Sequence, residues 1–402
     1  MAAKSLTPTP DPPTHHHPPP QSGYDVVVVG GGLAGSATAT LLAQAGARVR
    51  LLEASRFPHD KLCGEFLSPE CQAVFARLGV APAIQALAPT RLTAARFTSA
   101  SGQVWDARLP APGLGLSRAA LDALLFDHAA QQGATARQGA RVTRITRRPD
   151  RTWAVEWMSG EQTREVVVPL VLAAWGKRST LDRALNRPFL GQSHPTFALK
   201  AHYSGPSLDR RVEIHGFDGG YCGLAEVEGG RVNLCLLAET RRLKAHLGDP
   251  ERFVQHVLPT NPALGEWLAQ ARRLSPRFIA ISQIPFVPKR QVVDGVLMLG
   301  DAAGLISPLV GNGMAMALTS AEIATPLALQ YLDGRLTHRD LAAEYTRRWQ
   351  ARFHRRLWLG RLAQPLLFRP AALSLGLRLL RLAPALGDAL VANTRDPLRP
   401  TP

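Results

Sequence analysis

The stretch VVVVGGGLAGSATATLLAQAGARVRLLEAS, Val26 to Ser55, decides the fold. Four valines running into Gly30 read as a short buried strand, Leu33 to Gln44 as a helix closed near Gly46, and Val49 to Glu53 as the next strand. Each glycine of the turn has its own task in a strand–turn–helix that takes a dinucleotide. Gly30 allows the tight turn, Gly32 lets the backbone approach a pyrophosphate, and Gly35 lets helix and strand pack closely. The first helical turn then aims N–H groups and its positive dipole end at the phosphates. Glu53 ends the second strand where a carboxylate accepts from ribose hydroxyls, which favours FAD or NAD over a 2′-phosphorylated nucleotide. Leu33, Ala34 and Ala54 flank these positions and join the expected cofactor contacts.

A late segment, VVDGVLMLGDAAGLISPLVGNGMAMAL, supplies the other half of a split nucleotide site. Val296 to Leu299 reads as a buried strand, Gly300 and Asp301 stand just past its end, and a helix runs from Asn312 to Tyr331. Asp301 can accept from ribose or ribityl hydroxyls. Between Pro308 and Gly313 the turn is short of large side chains, so a flat ring can lie against Gly311, Asn312, Gly313 and Met314. The helix start there would favour negative charge on a reduced flavin.

Between these halves, Ser68-Pro69 reads as a helix start and Ser117 as the cap of a helix from Arg118 to Gln132. Strand patterns follow at Arg141–Arg147, Trp153–Met158, Thr163–Val168 and Leu170–Ala174, with Val142 a further expected cofactor contact. Alternating segments from Thr196 to Ala238 (TFALKAHYS, RVEIHGF, GRVNLCLLA) predict a largely antiparallel substrate sheet inserted into the nucleotide fold. The expected class is therefore α/β: a Rossmann-like FAD-binding domain of the glutathione-reductase type with an inserted sheet and a helical C-terminal tail. The expected division is a disordered tail over 1–22, an FAD-binding domain over 23–180 and 285–345, with part of 60–115 facing the substrate side, a substrate sheet over 181–284 and a basic helical region over 346–402.

The composition narrows the functional classes. A chain of 402 residues, 46% hydrophobic, supports a sizeable core. The first residues are Pro-rich and lack an apolar run, so they read as a tail and not a signal peptide, and His15, His16 and His17 in it make no expected metal site. Cys63, Cys71, Cys222 and Cys235 form no CxxC pair, which points to a reducing cytoplasm and away from structural zinc or a disulfide scaffold. No run of about 18 apolar residues suggests a spanning helix. Of the net charge of +16, much lies after Thr346, where eleven arginines face only Asp388 and Asp396. Only six of the 47 basic residues are lysines, so a chain-wide preference for arginine competes with a local design. In LSLGLRLLRLAPALGDALV, Arg378 and Arg381 share a helical face, with Leu375, Leu379, Leu382 and Leu386 on much of the rest. That pattern suits peripheral association with an anionic membrane, or a lid packed on the body. Nucleic acid is not an expected partner, because no recognised fold or aromatic ladder accompanies the charge.

Taken together, VVVVGGGLAGS with Glu53, LSRAALDALLFDHAAQQGA around Arg118, and GDAAGLISPLVGNGMAMAL resemble the three FAD segments of the flavoprotein family that includes p-hydroxybenzoate hydroxylase-fold hydroxylases, geranylgeranyl reductases and flavin halogenases. KLCGEFLSPE, Lys61 to Glu70, is similar to the Cys-Gly element of the geranylgeranyl-reductase branch. The resemblance implies FAD as cofactor, Arg118 in contact with it, and Cys63 and Gly64 beside the ring, with Cys63 the candidate catalytic residue and Tyr221 and Cys222 on the substrate side. It also implies NAD(P)H or an external reductase as electron donor. In VLAAWGKRSTLDR, Trp175 stands where the hydroxylases carry Asp, which counts against direct use of NADPH, and the halogenase Trp-x-Trp-x-Ile-Pro motif is absent. The leading expectation is a monooxygenase acting on a hydrophobic polyketide- or isoprenoid-like molecule. The alternatives are a prenyl-lipid reductase favoured by KLCGEF, a non-redox carotenoid cyclase with Glu226 or Glu228 as acid, and a flavin-free binding protein.

Overall fold

The computed structural model describes residues 23–307, 311–383 and 387. The Pro-rich tail with its three histidines, Pro308, Leu386 and the chain end with Asp388 and Asp396 lie outside the described residues. The four valines form the centre of a six-stranded sheet: Val26–Val29 pairs in parallel with Val49–Leu52 on one side and Leu170–Ala173 on the other. Val296–Met298 continues the sheet beyond Leu170–Ala173, and Thr135–Arg137 closes the far edge. Helices cover these strands, which is why they are continuously apolar and do not alternate. Helix Leu33–Gln44 packs between Arg118–Gln131 and Gly313–Leu332, and all three feed one core with the sheet.

A nine-stranded mixed sheet forms the second layer. Thr196–Ser204, Arg211–Phe217, Gly220–Glu226 and Val232–Glu239 are antiparallel neighbours, as the alternation predicts. This sheet also recruits an earlier part of the chain. Thr90–Thr98 pairs in parallel with Arg211–Phe217 and antiparallel with Val104–Gly115. A three-stranded meander, Ala140–Arg147, Trp153–Ser159 and Gln162–Val168, stands apart.

Side-chain caps open some of the helices and not others. The Ser117 side chain accepts from the Ala120 N–H, and Thr337 accepts from Asp340 to open helix His338–Leu367. At Ser68-Pro69 the helix begins one residue later than its serine suggests, at Glu70, with Pro69 as the flanking residue and no side-chain cap. Helix Pro370–Leu382 lays Leu373 and Leu377 on the nine-stranded sheet, so its inner face is the packed lid. Its outer face leaves Leu375, Leu379 and Leu382 exposed, alongside Trp358, Leu362 and Leu366 of the preceding helix.

Candidate active site

The glycine turn is built as its spacing requires. Gly30 has φ +105, and a Cβ there would lie 2.4 Å from the Ala174 carbonyl oxygen. A Cβ on Gly35 would lie 1.8 Å from the Gly30 carbonyl oxygen, so this residue is a packing contact within the core and does not line the cavity. Gly32 differs from both. Its backbone is extended, and the nearest heavy atoms to an added Cβ are the Lys61 Nζ at 3.5 Å and an Arg118 nitrogen at 3.6 Å. The space beside Gly32 is therefore open, faces the uncapped start of helix Leu33–Gln44, and is flanked by two cations. A pyrophosphate requires such a place.

Those cations are fixed from below by Asp122. Arg118 donates two bonds of 2.8 Å to its carboxylate, and Lys61 lies 2.9 Å away. Burial would raise the Asp122 carboxyl, but Arg118 and Lys61 together hold it below its ordinary value. Burial likewise works against the Arg118 charge, and Asp122 overcomes it, so the guanidinium stays charged. On the other side Glu53 is buried and accepts from the Gly31 N–H at 2.7 Å and the Ser55 N–H at 2.8 Å, which holds its carboxylate at the end of the strand.

The second half comes from the late segment. Gly300 has φ +55, and its N–H donates to the Ser320 hydroxyl, tying the strand end to the long helix. Asp301, Gly311, Gly313 and Met314 face the same cavity as Gly30, Gly32, Leu33, Ala34, Glu53, Ala54, Arg118 and Val142. Asn312 is buried as the residue that opens helix Gly313–Leu332 and does not line the cavity itself. Lys289 bridges the halves by donating to the carbonyl oxygens of Lys177 (2.8 Å) and Asp301 (2.9 Å). Burial lowers its ammonium to about 8, against the pull of Asp301.

The cavity has a volume of about 1180 Å³ and continues from this polar half into an apolar one on the nine-stranded sheet. Phe97, Ile214, Tyr221, Leu237, Ile281, Ile284, Phe286 and Leu305 line it there. Cys63 and Gly64 line it too. Cys63 contacts Arg118 on the cofactor side, and its carbonyl accepts from Asn233 of strand Val232–Glu239. Cys222 corrects the sequence reading: it pairs across to His215, points to the face opposite Tyr221 and packs with Phe217 and Leu236, because adjacent strand residues face opposite sides. Burial raises its thiol well above the ordinary value. Glu226 and Glu228 do not line the cavity either. Glu228 accepts from the Ser117 N–H and hydroxyl and pairs with Arg231, a brace for the Arg118 helix.

The cavity carboxylate the sequence did not single out is Glu65. It is fully buried with φ +55, and accepts from the Arg118 N–H (2.7 Å), Lys200 (2.6 Å) and His202 Nε2 (2.7 Å). Lys200 also reaches Asp60 at 3.0 Å, so the ammonium occupies the middle of the one His–carboxylate group among the described residues with ligand-like spacing. The lysine already serves as the cation there. Burial works against the Lys200 charge, and Glu65 and Asp60 raise it. The signal that was available is Lys200 itself, one charged residue in the otherwise apolar strand TFALKAHYS.

Comparison with known proteins agrees with this geometry. A family model described as an FAD binding domain matches residues 23–212. The chain is 28% identical to menaquinone reductase of Mycolicibacterium smegmatis over 73% of each chain. It is 27% identical to digeranylgeranylglycerophospholipid reductase 2 of Methanopyrus kandleri over 80% of each. Its fold matches a myxobacterial chondrochloren halogenase with a TM-score of 0.77 at 18% identity, covering 92% of this chain and 90% of the other. It also matches a halogenase solved with phloroglucinol and FAD at a TM-score of 0.72 and 20% identity, covering 92% and 82%. The protein is an FAD-dependent enzyme. Residues 23–212 carry the FAD-binding match, and the proteins the chain is similar to are reductases by sequence and FAD-dependent halogenases by fold.

Proposed function

We propose that the protein reduces carbon–carbon double bonds in the chain of a prenyl lipid, the second of the readings its sequence offers. The observation that carries this is the position of Cys63, against Arg118 on the cofactor side and lining the same cavity as the apolar residues Phe97, Ile281 and Phe286. The reductase relatives and the Trp175 position support the same choice over oxygen insertion. Trp175 lines the cavity, and its indole N–H is held by Asp182 at 3.1 Å.

Within this reading, residues 23–180 and 285–345 hold FAD, and 181–284 supply much of the substrate wall. Gly30, Gly32, Leu33, Ala34, Arg118 and Lys61 would receive the pyrophosphate, Glu53 and Ala54 the adenosine ribose, and Gly300, Asp301, Gly311, Gly313 and Met314 the flavin end. When bound and reduced, FAD supplies a hydride to one carbon of the double bond. The other carbon needs a proton, which the Cys63 thiol holds at Sγ. Glu65, His202 and Asp60 form a line back toward solvent: His202 lies 2.7 Å from Glu65 and 3.8 Å from the half-exposed Asp60. Apolar walls at Phe97, Ile281 and Phe286 keep water from the bond. Under anaerobic conditions, reduced holo-protein is expected to add two hydrogens to a geranylgeranyl lipid. A product unchanged without oxygen, and oxygenated once it is admitted, would establish the monooxygenase instead.

No described helix is long and apolar enough to cross a membrane. The exposed Trp358, Leu362, Leu366, Leu375 and Leu379, beside Arg378 and Arg381, give the C-terminal helices a face for the surface of an anionic bilayer that supplies the lipid. A Leu362→Ser/Leu375→Ser variant is expected to stop floating with anionic vesicles while still turning over detergent-solubilised substrate. Unchanged flotation would remove the membrane from the account.

A further inference from the structure

Lys289 is buried, and neither the phosphate site nor the reduction of a substrate uses its charge. Its amine donates to the Lys177 carbonyl at 2.8 Å and the Asp301 carbonyl at 2.9 Å, and lies 4.5 Å from the centre of the Phe189 ring. Lys177 and Asp301 both line the large cavity, so the charge stands just behind its wall, at the flavin end. Arg118, Arg187 and Lys200 each touch a carboxylate, whereas Lys289 makes no ion pair among the described residues.

Holding the turn in place does not by itself call for this charge. Beyond strand Val296–Met298, the carbonyls of Asp301, Ala302 and Ala303 are taken in succession by the side chains of Lys289, Arg187 (2.8 Å) and Gln291 (3.2 Å). Gln291 does its share as a neutral amide, and Arg187 has Asp182 at 2.9 Å to balance it. Of the three donors, Lys289 alone carries an unbalanced charge. Carbonyl dipoles and a ring face offset only part of the cost of burying it. Burial lowers the ammonium to about 8; the Asp301 and Asp182 carboxylates pull the other way from beyond ion-pair contact, and Arg187 and Lys177 add to the lowering. An anion brought to the cavity wall would supply the missing balance. FAD brings its pyrophosphate, and a reduced flavin carries negative charge on the ring.

We propose that Lys289 is a positioning residue for the cofactor: it ties the Asp301 turn to Lys177 and keeps behind that wall a positive charge which the negative charge of bound FAD completes. The inference rests on FAD binding and is independent of the reaction the flavin performs. Tie and charge separate with pH, because a neutral amine keeps two N–H groups for the two carbonyls. Bound FAD would make Lys289 hold its proton more tightly than the empty site does. Affinity is therefore at full strength below about pH 8 and falls as the pH rises above it.

The test dilutes the full chain loaded with FAD and follows the released cofactor by its fluorescence, for the parent, Lys289→Met and Lys289→Arg. From about pH 7 to about pH 9.5 the parent's dissociation constant is expected to rise by about tenfold. Lys289→Met should release FAD more readily at the low end of that range and show no such rise. Lys289→Arg stays charged throughout, so it should recover most of the affinity with a flat profile. A melting curve checks that the methionine variant folds; if it does not, the parent and the arginine variant decide the matter. A parent constant that stays flat, a rise that persists in either variant, or parental affinity of Lys289→Met at the low end of the range would each overturn the inference. A flat parent profile beside a lowered melting temperature in Lys289→Met would reduce Lys289 to a tie for the turn, with no charge reserved for the cofactor.

Discussion

Gly32→Ala is expected to fold as the parent protein does and to purify without flavin. The backbone at Gly32, φ −78 and ψ −168, is extended and open to any residue, and the new methyl would meet nothing nearer than 3.5 Å. Stability should therefore hardly change. The methyl would, however, fill the space in front of the first helical turn, between Lys61 and Arg118, where a pyrophosphate must come within hydrogen-bond reach of the backbone. A loss of about 3 kcal/mol there weakens FAD by about 100-fold or more. Gly35→Ala is the contrast: its Cβ would lie 1.8 Å from the Gly30 carbonyl oxygen, so the helix must leave the strand and the thermal midpoint should fall with or without cofactor. Titration of FAD into each purified variant, beside its melting curve, separates the two effects. If Gly32→Ala takes up FAD with parental affinity, the phosphate site has been placed wrongly.

The second large effect is expected at Cys63. Cys63→Ala removes the proton held beside the double bond and the thiol's contact with Arg118, but the two bonds from Arg118 to Asp122 and the glycine turn remain, so FAD and substrate should still bind. The rate of chain reduction in a single anaerobic turnover should fall by about 100-fold or more, in the range that positioned acids supply. Cys63→Ser keeps the shape but donates its proton less readily, so its rate should lie between the two and its pH profile should differ from the parent's. If Cys63 only fills a turn, Cys63→Ala will change the apparent KM or the stability and leave that rate and its pH profile as they were.

The parts of the site that were legible in the sequence are those fixed by local backbone demands. The glycine spacing from Gly30 to Gly35, Glu53 at a strand end, Gly300-Asp301 after a buried strand, and Ser117 as a cap each depend on a few neighbouring residues, so their pattern survives without knowledge of the fold. What was hidden depends on chain crossings. Glu65 meets Lys200 and His202 from about 135 residues away, across two elements, and its left-handed backbone has no signature in a glutamate. Tyr221 and Cys222 were both placed on the substrate side although the two-residue period allows only one of them there. Strand Val104–Gly115 was concealed by Pro110 and Pro112. They fall in the span between the Arg108–Ala94 and Gly113–Leu92 pairs, where the register shifts and no ladder N–H is required of them.

The central claim is that electrons leave the reduced cofactor for a carbon chain held in the apolar cavity. The most direct measurement follows the visible flavin band after anaerobic reduction with dithionite, when a geranylgeranyl lipid is added without oxygen. The account predicts that the band returns in step with hydrogenation of the chain, and that Cys63→Ala slows the return. A band that stays bleached with the lipid present, and returns only when oxygen is admitted, would contradict it.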